Sequence, residues 1–286
     1  MQDKIVMVTG GTAGIGLVTA RELAAQGATV ILVGRDEARG ERAAGEIRRA
    51  TSNSRVGFKR ADLSRQSEVR RLARDFAEAH PRLDVLVNNA GAIFNERRVS
   101  ADGIEMTLAL NHLSYFLLTH LMLDRLQAAP AGRIVNVASR AHQGASIDFA
   151  DLQMESGYSG WRAYQRSKLM NIMFTYELAR RLGPGGVTVN ALHPGFVASS
   201  FGMNNGLLFR AALRLAMTVS AIDVDKGAET SVYLAQSPDV AGVTGRYFVK
   251  RREAHSSAAS QDQAAQARLW EESLRLCGMS EGTATL

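Results

Sequence analysis

TGGTAGIG (residues 9–16) follows an apolar run, KIVMVT (4–9), whose last threonine it shares. Gly10, Gly14 and Gly16 make a G-x-x-x-G-x-G pattern, a relative of G-x-G-x-x-G. Glycine lets the backbone turn tightly and lets a pyrophosphate come close. A helix opening near Gly14 turns unpaired N–H groups and the positive end of its dipole toward such an anion. A glycine-rich turn after a strand can be purely structural. One that follows an apolar first strand and opens an amphipathic helix reads instead as a dinucleotide loop. Its expected contacts are Gly10, Thr12, Gly14, Ile15 and Gly16.

The rest of the chain keeps the same rhythm. Strand-like runs at 28–34, 55–60, 84–90, 133–139, 187–193 and 246–249 alternate with helical stretches near 14–26, 36–50, 65–79, 101–128, 160–182, 226–236 and 260–276. Several runs are apolar throughout, as expected of parallel strands covered on both faces. The alternation predicts an α/β fold, a Rossmann-type doubly wound parallel sheet of about seven strands with helices on both faces. No repeat, low-complexity segment or Pro-rich linker interrupts it. Residues 1–286 are therefore expected to form a single domain with a helical tail at 251–286.

The second strand ends in Gly34-Arg35-Asp36. Dinucleotide folds that prefer NAD carry an acidic residue about 20 positions past the loop, to accept the ribose 2′-OH. Glycine stands there in this chain, and Arg35 follows. A guanidinium suits a 2′-phosphate, which a carboxylate would repel. NADP (NADPH) is thus expected over NAD. Between Arg35 and Arg74 there are 12 Lys and Arg against 6 Asp and Glu, and the whole chain carries a net charge of +6. Spread over two helices and a strand, this basic region reads as solvated helix faces around the cofactor's phosphate end. Nucleic acid is not an expected partner.

Composition sets further bounds. Apolar residues make up 46% and charged residues 22%, as in an ordinary soluble globular chain. Cys277 is the single cysteine, so no internal disulfide forms and a reducing compartment fits. The start MQDK lacks a signal-peptide core, and the cytoplasm is the expected location. The most apolar stretch, 104–123, contains Glu105, Asn111 and His112, which argues against a membrane span. Metal-ligand spacings such as HExxH or clustered Cys and His do not occur, so no metal is expected.

In an open parallel sheet, ligands bind beyond the carboxyl ends of the strands. Strand three is followed by Asp62 and Leu63, strand four by NNAG (88–91), strand five by Ser139, and strand six by HPG (193–195). Asp62 is placed to accept from an adenine amino group. Tyr164 and Lys168 then lie one helical turn apart in RAYQRSKLMN (162–171). A free phenol, with a pKa near 10, exchanges protons poorly at neutral pH. A neighbouring ammonium is expected to lower that value. Tyr164 becomes a general acid for carbonyl reduction or a base for alcohol oxidation. Ser139 is expected to hydrogen-bond the substrate oxygen. His193 reads as locally packed rather than catalytic.

TGGTAGIG, NNAG, Ser139 with YQRSK, and HPGFVAS (193–199) together resemble the signature series of the short-chain dehydrogenase/reductase family, in order, over about residues 4–250. NHLSYFLLTHL (111–121), DLQMESGYSGWRAYQRSKLMN (151–171) and RLWEES (268–273) resemble its retinol-dehydrogenase and protochlorophyllide-reductase-like members. The resemblance implies that Lys168 also holds the nicotinamide ribose. It implies that Asn111 anchors a water that relays protons through Lys168. Asn89, Ala90 and Gly91 are implied cofactor contacts. Pro194, Gly195, Val197 and the Ser199 hydroxyl are implied to hold the nicotinamide carboxamide. A homodimer or homotetramer is implied as well.

SFGMNNGLLFRAALRLAMTVS (200–220) offers Gly and Asn as hinges, followed by an apolar helix with two arginines. The expectation is a lid over an apolar carbonyl or alcohol substrate, spanning 200–222. A core-packed helix and peripheral contact with a membrane surface are the alternatives. Three functions stay open: an NADP-dependent oxidoreductase, a non-catalytic dinucleotide sensor, and a reductase of a conjugated C=C bond. The presence of Ser139, Tyr164 and Lys168 together favours the first.

Overall fold

The computed structural model describes residues 1–195 and 223–280. The 200–222 segment, Val197 and Ser199 lie outside the described residues. Among the described residues, eight strands form one sheet in the order β3-β2-β1-β4-β5-β6-β7-β8. They are β1 (Ile5–Thr9), β2 (Thr29–Gly34), β3 (Val56–Arg60), β4 (Val85–Asn88), β5 (Arg133–Val137), β6 (Thr188–His193), β7 (Arg246–Val249) and β8 (Arg252–Glu253). The first seven pair in parallel. The eighth, which the sequence pattern does not show, is two residues long and antiparallel to β7.

The helices follow the same alternation: α1 (Gly14–Ala25), α2 (Glu37–Thr51), α3 (Gln66–Ala79), α4 (Met106–Leu108) and α5 (Ser114–Gln127). After these come α6 (Gly160–Leu182), α7 (Val224–Gln236), α8 (Ala258–Gln261) and α9 (Gln263–Leu276). A π turn, Ala109–Leu113, joins α4 to α5.

The sheet divides two cores because successive side chains of a strand point to opposite faces. In β1, Val6 and Val8 pack with Ala20, Leu23 and Ala44 of α1 and α2, and with Leu234 of α7. Met7, between them, packs on the other side with Leu72, Phe116, Met173 and Trp270, from α3, α5, α6 and α9. Both faces are thus covered, which accounts for the apolar strands.

Local chemistry sets the helix ends. Asp36 caps α2 by accepting from the Arg39 N–H at 2.9 Å, with Glu37 in the first turn and Arg48 and Arg49 in the last, as the helix dipole favours. Residues 101–105 do not join the helix the sequence suggests. Gly103 takes φ +75°, and Val99 bridges Glu105, whose carboxylate caps α4 through the Thr107 and Leu108 N–H groups at 2.8 Å.

Met106–Gln127 is long and apolar enough to cross a membrane, yet 83% of its most apolar window is buried inside the fold. It belongs to the core on the sheet face that also carries α3, α6 and α9. At the opposite end of β4, Asp84 is buried and receives Lys4 at 3.0 Å, Arg82 at 3.1 Å and the Ile5 N–H at 2.9 Å. Burial works against its charge, but these three donors prevail and hold its carboxyl below the usual range.

Candidate active site

The glycine loop is built against the end of β4. Gly10 has φ +62°, a conformation that favours glycine. A methyl group on Gly16 would stand 2.4 Å from Asn89 Nδ2 and 2.4 Å from the Gly10 carbonyl oxygen, so only glycine fits. Thr9 fastens the two segments. Its hydroxyl donates to the Val87 carbonyl at 3.2 Å and accepts from the Asn89 and Ala90 N–H groups at 2.8 and 3.1 Å. Asn89 returns Nδ2 to the Thr9 carbonyl at 2.9 Å. The N-terminus of α1 has no side-chain cap and no acidic residue in its first turn. Its N–H groups are therefore left for an anion, and the cradle suits a cofactor pyrophosphate.

At the end of β2, Asp36 is engaged in capping α2, and Glu37 pairs with Arg60 at 3.9 Å. Neither holds Arg35, which is exposed and makes no ion pair among the described residues. Asp62 is less available than the sequence suggests. Its Oδ1 accepts from the Ser64 N–H at 3.1 Å and hydroxyl at 2.7 Å, and its Oδ2 faces Arg65 at 3.7 Å. Leu63 beside it is buried.

The four expected catalytic residues converge at the carboxyl ends of β4 and β5. Ser139 caps the 3₁₀ turn Arg140–Gly144, its hydroxyl accepting from the Ala141 N–H at 3.2 Å, and it also hydrogen-bonds Tyr164. Lys168 is buried and donates Nζ to the Val137 carbonyl at 2.8 Å. Nζ lies 5.7 Å from the centre of the Tyr164 ring and 5.6 Å from that of Tyr115. A methyl placed on Gly91 would lie 3.3 Å from Asn111 Oδ1 and 3.7 Å from Lys168 Nζ, so the loop after β4 lines the same spot.

Asn111 sits inside the π turn and is fully committed. Oδ1 accepts from the Ala92 N–H at 2.9 Å, while Nδ2 donates to the Ala92 carbonyl at 2.9 Å and the Ser167 hydroxyl at 3.1 Å. The side chain thus joins the β4 loop to α6. Its backbone carbonyl accepts Asn171 Nδ2 at 2.9 Å.

Electrostatics here differ from the expectation. Burial pushes the Tyr164 phenol up to about 12, opposed only in part by the Ser139 hydrogen bond. Burial also draws Lys168 down to about 7. The ammonium does not lower the phenol in this protein as it stands, because desolvation outweighs a cation whose bond goes to Val137. Tyr164 is therefore held protonated, the state a proton donor needs. Its neighbour Trp161, with ring centroids 5.7 Å apart, is the largest exposed apolar side chain among the described residues.

His193 behaves as a packed residue: Nδ1 accepts the Arg140 N–H at 3.1 Å, and burial lowers its pKa to about 4. Pro194 and Gly195 follow it at the strand end. Among the described residues, no group of three His, Cys, Asp or Glu side chains is placed to hold a metal.

This sheet order, glycine cradle and Ser-Tyr-Lys-Asn cluster define a dinucleotide-binding oxidoreductase site. Residues 4–206 match the family model for short chain dehydrogenases. Mouse retinol dehydrogenase 14 is 40% identical over 98% of this chain and 87% of its own. Human retinol dehydrogenase 12 is 41% identical over 98% of this chain and 88% of its own. A crystal structure of an uncharacterized protein from Mycobacterium paratuberculosis aligns with a TM-score of 0.79 and 33% identity, over 98% of this chain and 95% of that one. The Pseudomonas aeruginosa RhlG/NADP active-site complex aligns at 0.69 and 26% identity, over 87% and 94%. The chain belongs to the short-chain dehydrogenase/reductase family, in its retinol-dehydrogenase-like subgroup, and is an oxidoreductase of alcohol or carbonyl groups.

Sequence reasoning passed over Thr9, Ser167 and Asn171. The last two carried a signal, since they lie one turn after Tyr164 and Lys168 respectively on the same helix. Both bond to Asn111, 56 and 60 residues away, a pairing that spacing alone does not reveal.

Proposed function

We propose that this chain is an NADP-dependent oxidoreductase that moves a hydride between the nicotinamide and an apolar carbonyl or alcohol, with Tyr164 as general acid/base. The observation that carries the reading is the meeting of Ser139, Tyr164, Lys168 and Asn111 beside Gly91 at the strand ends. Bound nicotinamide supplies the hydride. Ser139 holds the carbonyl oxygen, and the protonated Tyr164 gives that oxygen its proton as charge develops there. Lys168, drawn down to about 7 in the same buried pocket, is the group assigned to return a proton to the phenol. Asn111 fixes the loop and the helix that carry these groups. Unpaired Arg35 supports a 2′-phosphate, hence NADP over NAD.

Two relatives named retinol dehydrogenases support an apolar, retinol-like alcohol or its aldehyde as substrate. Exposed Trp161, its ring 5.7 Å from that of Tyr164, fits the same class. The buried, unpaired Cys277 supports a cytoplasmic setting. A homodimer or homotetramer remains part of the proposal. The test is a panel of all-trans-retinal, linear aldehydes of rising length and the matching alcohols, assayed with NADPH, NADH and their oxidised forms. Preference for short polar substrates, or equal use of NADH, overturns the corresponding half of the reading.

A further inference from the structure

The Ser139 turn is held by an imidazole that the proposed reaction does not touch. His142 is completely buried in the 3₁₀ turn that Ser139 opens. Its Nδ1 lies 2.6 Å from the Ser139 carbonyl oxygen. A carbonyl only accepts, so Nδ1 carries the proton. Its Nε2 lies 3.1 Å from the Ser257 backbone N–H, which only donates, so Nε2 is bare. Both ring nitrogens are therefore fixed, and the ring is one defined neutral tautomer.

The far end of this link is anchored too. The Ser256 hydroxyl bonds the Tyr176 hydroxyl of α6 at 2.7 Å and accepts Gln261 Nε2 at 2.9 Å. The Ala254 N–H donates to the Tyr247 carbonyl at 2.8 Å, and Tyr247 packs edge-on against His142 with centroids 5.2 Å apart. Residues 254–261 thus form a firm backing, 115 positions from His142 in the chain.

We propose that His142 is a positioning residue for Ser139, transmitting the placement of the C-terminal segment to the serine through its imidazole. The inference rests on the reading of Ser139 as the group that holds the substrate oxygen. The two nitrogens do unequal work. Nδ1–H sets the peptide that carries Ser139, while Nε2 ties the ring to residues 254–261. Asparagine places an N–H donor near the Nδ1 position, and glutamine places an acceptor near Nε2. The two variants therefore separate the two bonds.

The experiment measures kcat, KM for all-trans-retinal, NADPH affinity and melting temperature for wild type, His142→Asn, His142→Gln, Ser139→Ala and the double variant His142→Gln/Ser139→Ala. His142→Gln is expected to lower kcat roughly 10–100-fold, the scale of a small misplacement of a reacting group, with NADPH affinity unchanged. His142→Asn is expected to recover most of that loss even if both variants melt lower. In the Ser139→Ala background, His142→Gln is expected to cost nothing further. Equal kcat losses in the Asn and Gln variants, or an undiminished loss in the Ser139→Ala background, overturn the positioning role. Wild-type turnover in Ser139→Ala instead overturns the underlying reading of the serine.

Ser257→Pro gives an arm that leaves the ring intact. Ser257 has φ −64°, which proline adopts, and the change deletes the N–H on Nε2 together with a buried hydroxyl that has no hydrogen-bond partner among the described residues. A several-fold fall in kcat at unchanged NADPH affinity supports the link; unchanged kcat overturns the transmission from the C-terminal segment.

Discussion

Lys168 and Tyr164 share a buried pocket: Nζ lies 5.7 Å from the phenol ring's centre and donates to the Val137 carbonyl. Burial alone accounts for the fall of Lys168 to about 7, and burial leads in the rise of Tyr164 to about 12. Burial thus favours the neutral form of both groups, the protonated phenol and the uncharged amine. A positively charged nicotinamide and a bound oxygen would redraw both balances.

Tyr164→Phe removes the proton without disturbing the ring. Turnover is expected to fall by roughly 10²–10⁴, the range of general acid–base catalysis. NADPH should still quench or shift the protein's fluorescence with near wild-type affinity. Retained turnover in this variant contradicts the proposed mechanism.

Lys168 leaves a mark on stability as well. Its folded pKa, about 7, lies below the unfolded value of 10.5, so between those limits the unfolded chain binds more protons. Stability from this group therefore rises as pH climbs from about 7 toward 10, and the burial penalty is fully felt below 7. Tyr164 acts only above that window, losing stability as pH rises from about 10 to 12. Urea titrations of wild type and Lys168→Met should show a stability difference that moves in favour of wild type across pH 7–10. A difference flat in pH would show that the lysine is not desolvated.

Arg35→Ala tests the cofactor's phosphate. KM for NADPH should rise about tenfold or more, as expected when a hydrogen-bonded charge pair is lost. KM for NADH should stay where it is, and the salt dependence of NADPH binding should weaken. Equal effects on both cofactors would place Arg35 outside the 2′-phosphate site.

Gly16→Ala forces a methyl to within 2.4 Å of the Gly10 carbonyl oxygen, which is backbone and does not yield by a rotamer change. The loop must shift, at a cost of about 1–3 kcal/mol in stability. Calorimetry should find NADPH binding weakened more than tenfold. Unchanged affinity would mean the loop does not contact the cofactor.

Trp270 joins α9 to the core, 5.1 Å from Phe116 between ring centres, with the Arg181 guanidinium 4.3 Å above it. Trp270→Ala should cost about 3–5 kcal/mol in chemical denaturation. Loss of less than about 1 kcal/mol would show that α9 docks by other contacts.

Seven strands and most helices were legible because their signals are local: alternating burial, apolar runs and glycine punctuation. Strand β8 was not, since two exposed residues, Arg252 and Glu253, carry no pattern. The start of α4 was displaced by the Val99–Glu105 bridge, a pairing that periodicity does not encode. At the site, Ser139, Tyr164, Lys168 and Asn111 could be named from motif and spacing. What could not be named was what each of them leans on. Asn171 beneath the Asn111 carbonyl and His142 beneath Ser139 matter through bonds to backbone atoms, which have no residue type to recognise. The direction of the Tyr164 shift also escaped, because burial depends on the completed fold and not on the spacing of Tyr and Lys.

The π turn at Ala109–Leu113, closed by the Ser114 N–H on the Ala109 carbonyl, lodges one residue more than a regular coil of the helix would hold. Excising one residue there would let Met106–Gln127 close into an unbroken α-helix with its two flanks little turned, because the bulge already absorbs the extra residue. The shortened chain would own a tidier helix and a displaced Asn111. At this point in the polypeptide, a surplus residue sets Asn111 where it meets Ala92 and Ser167 and is no blemish.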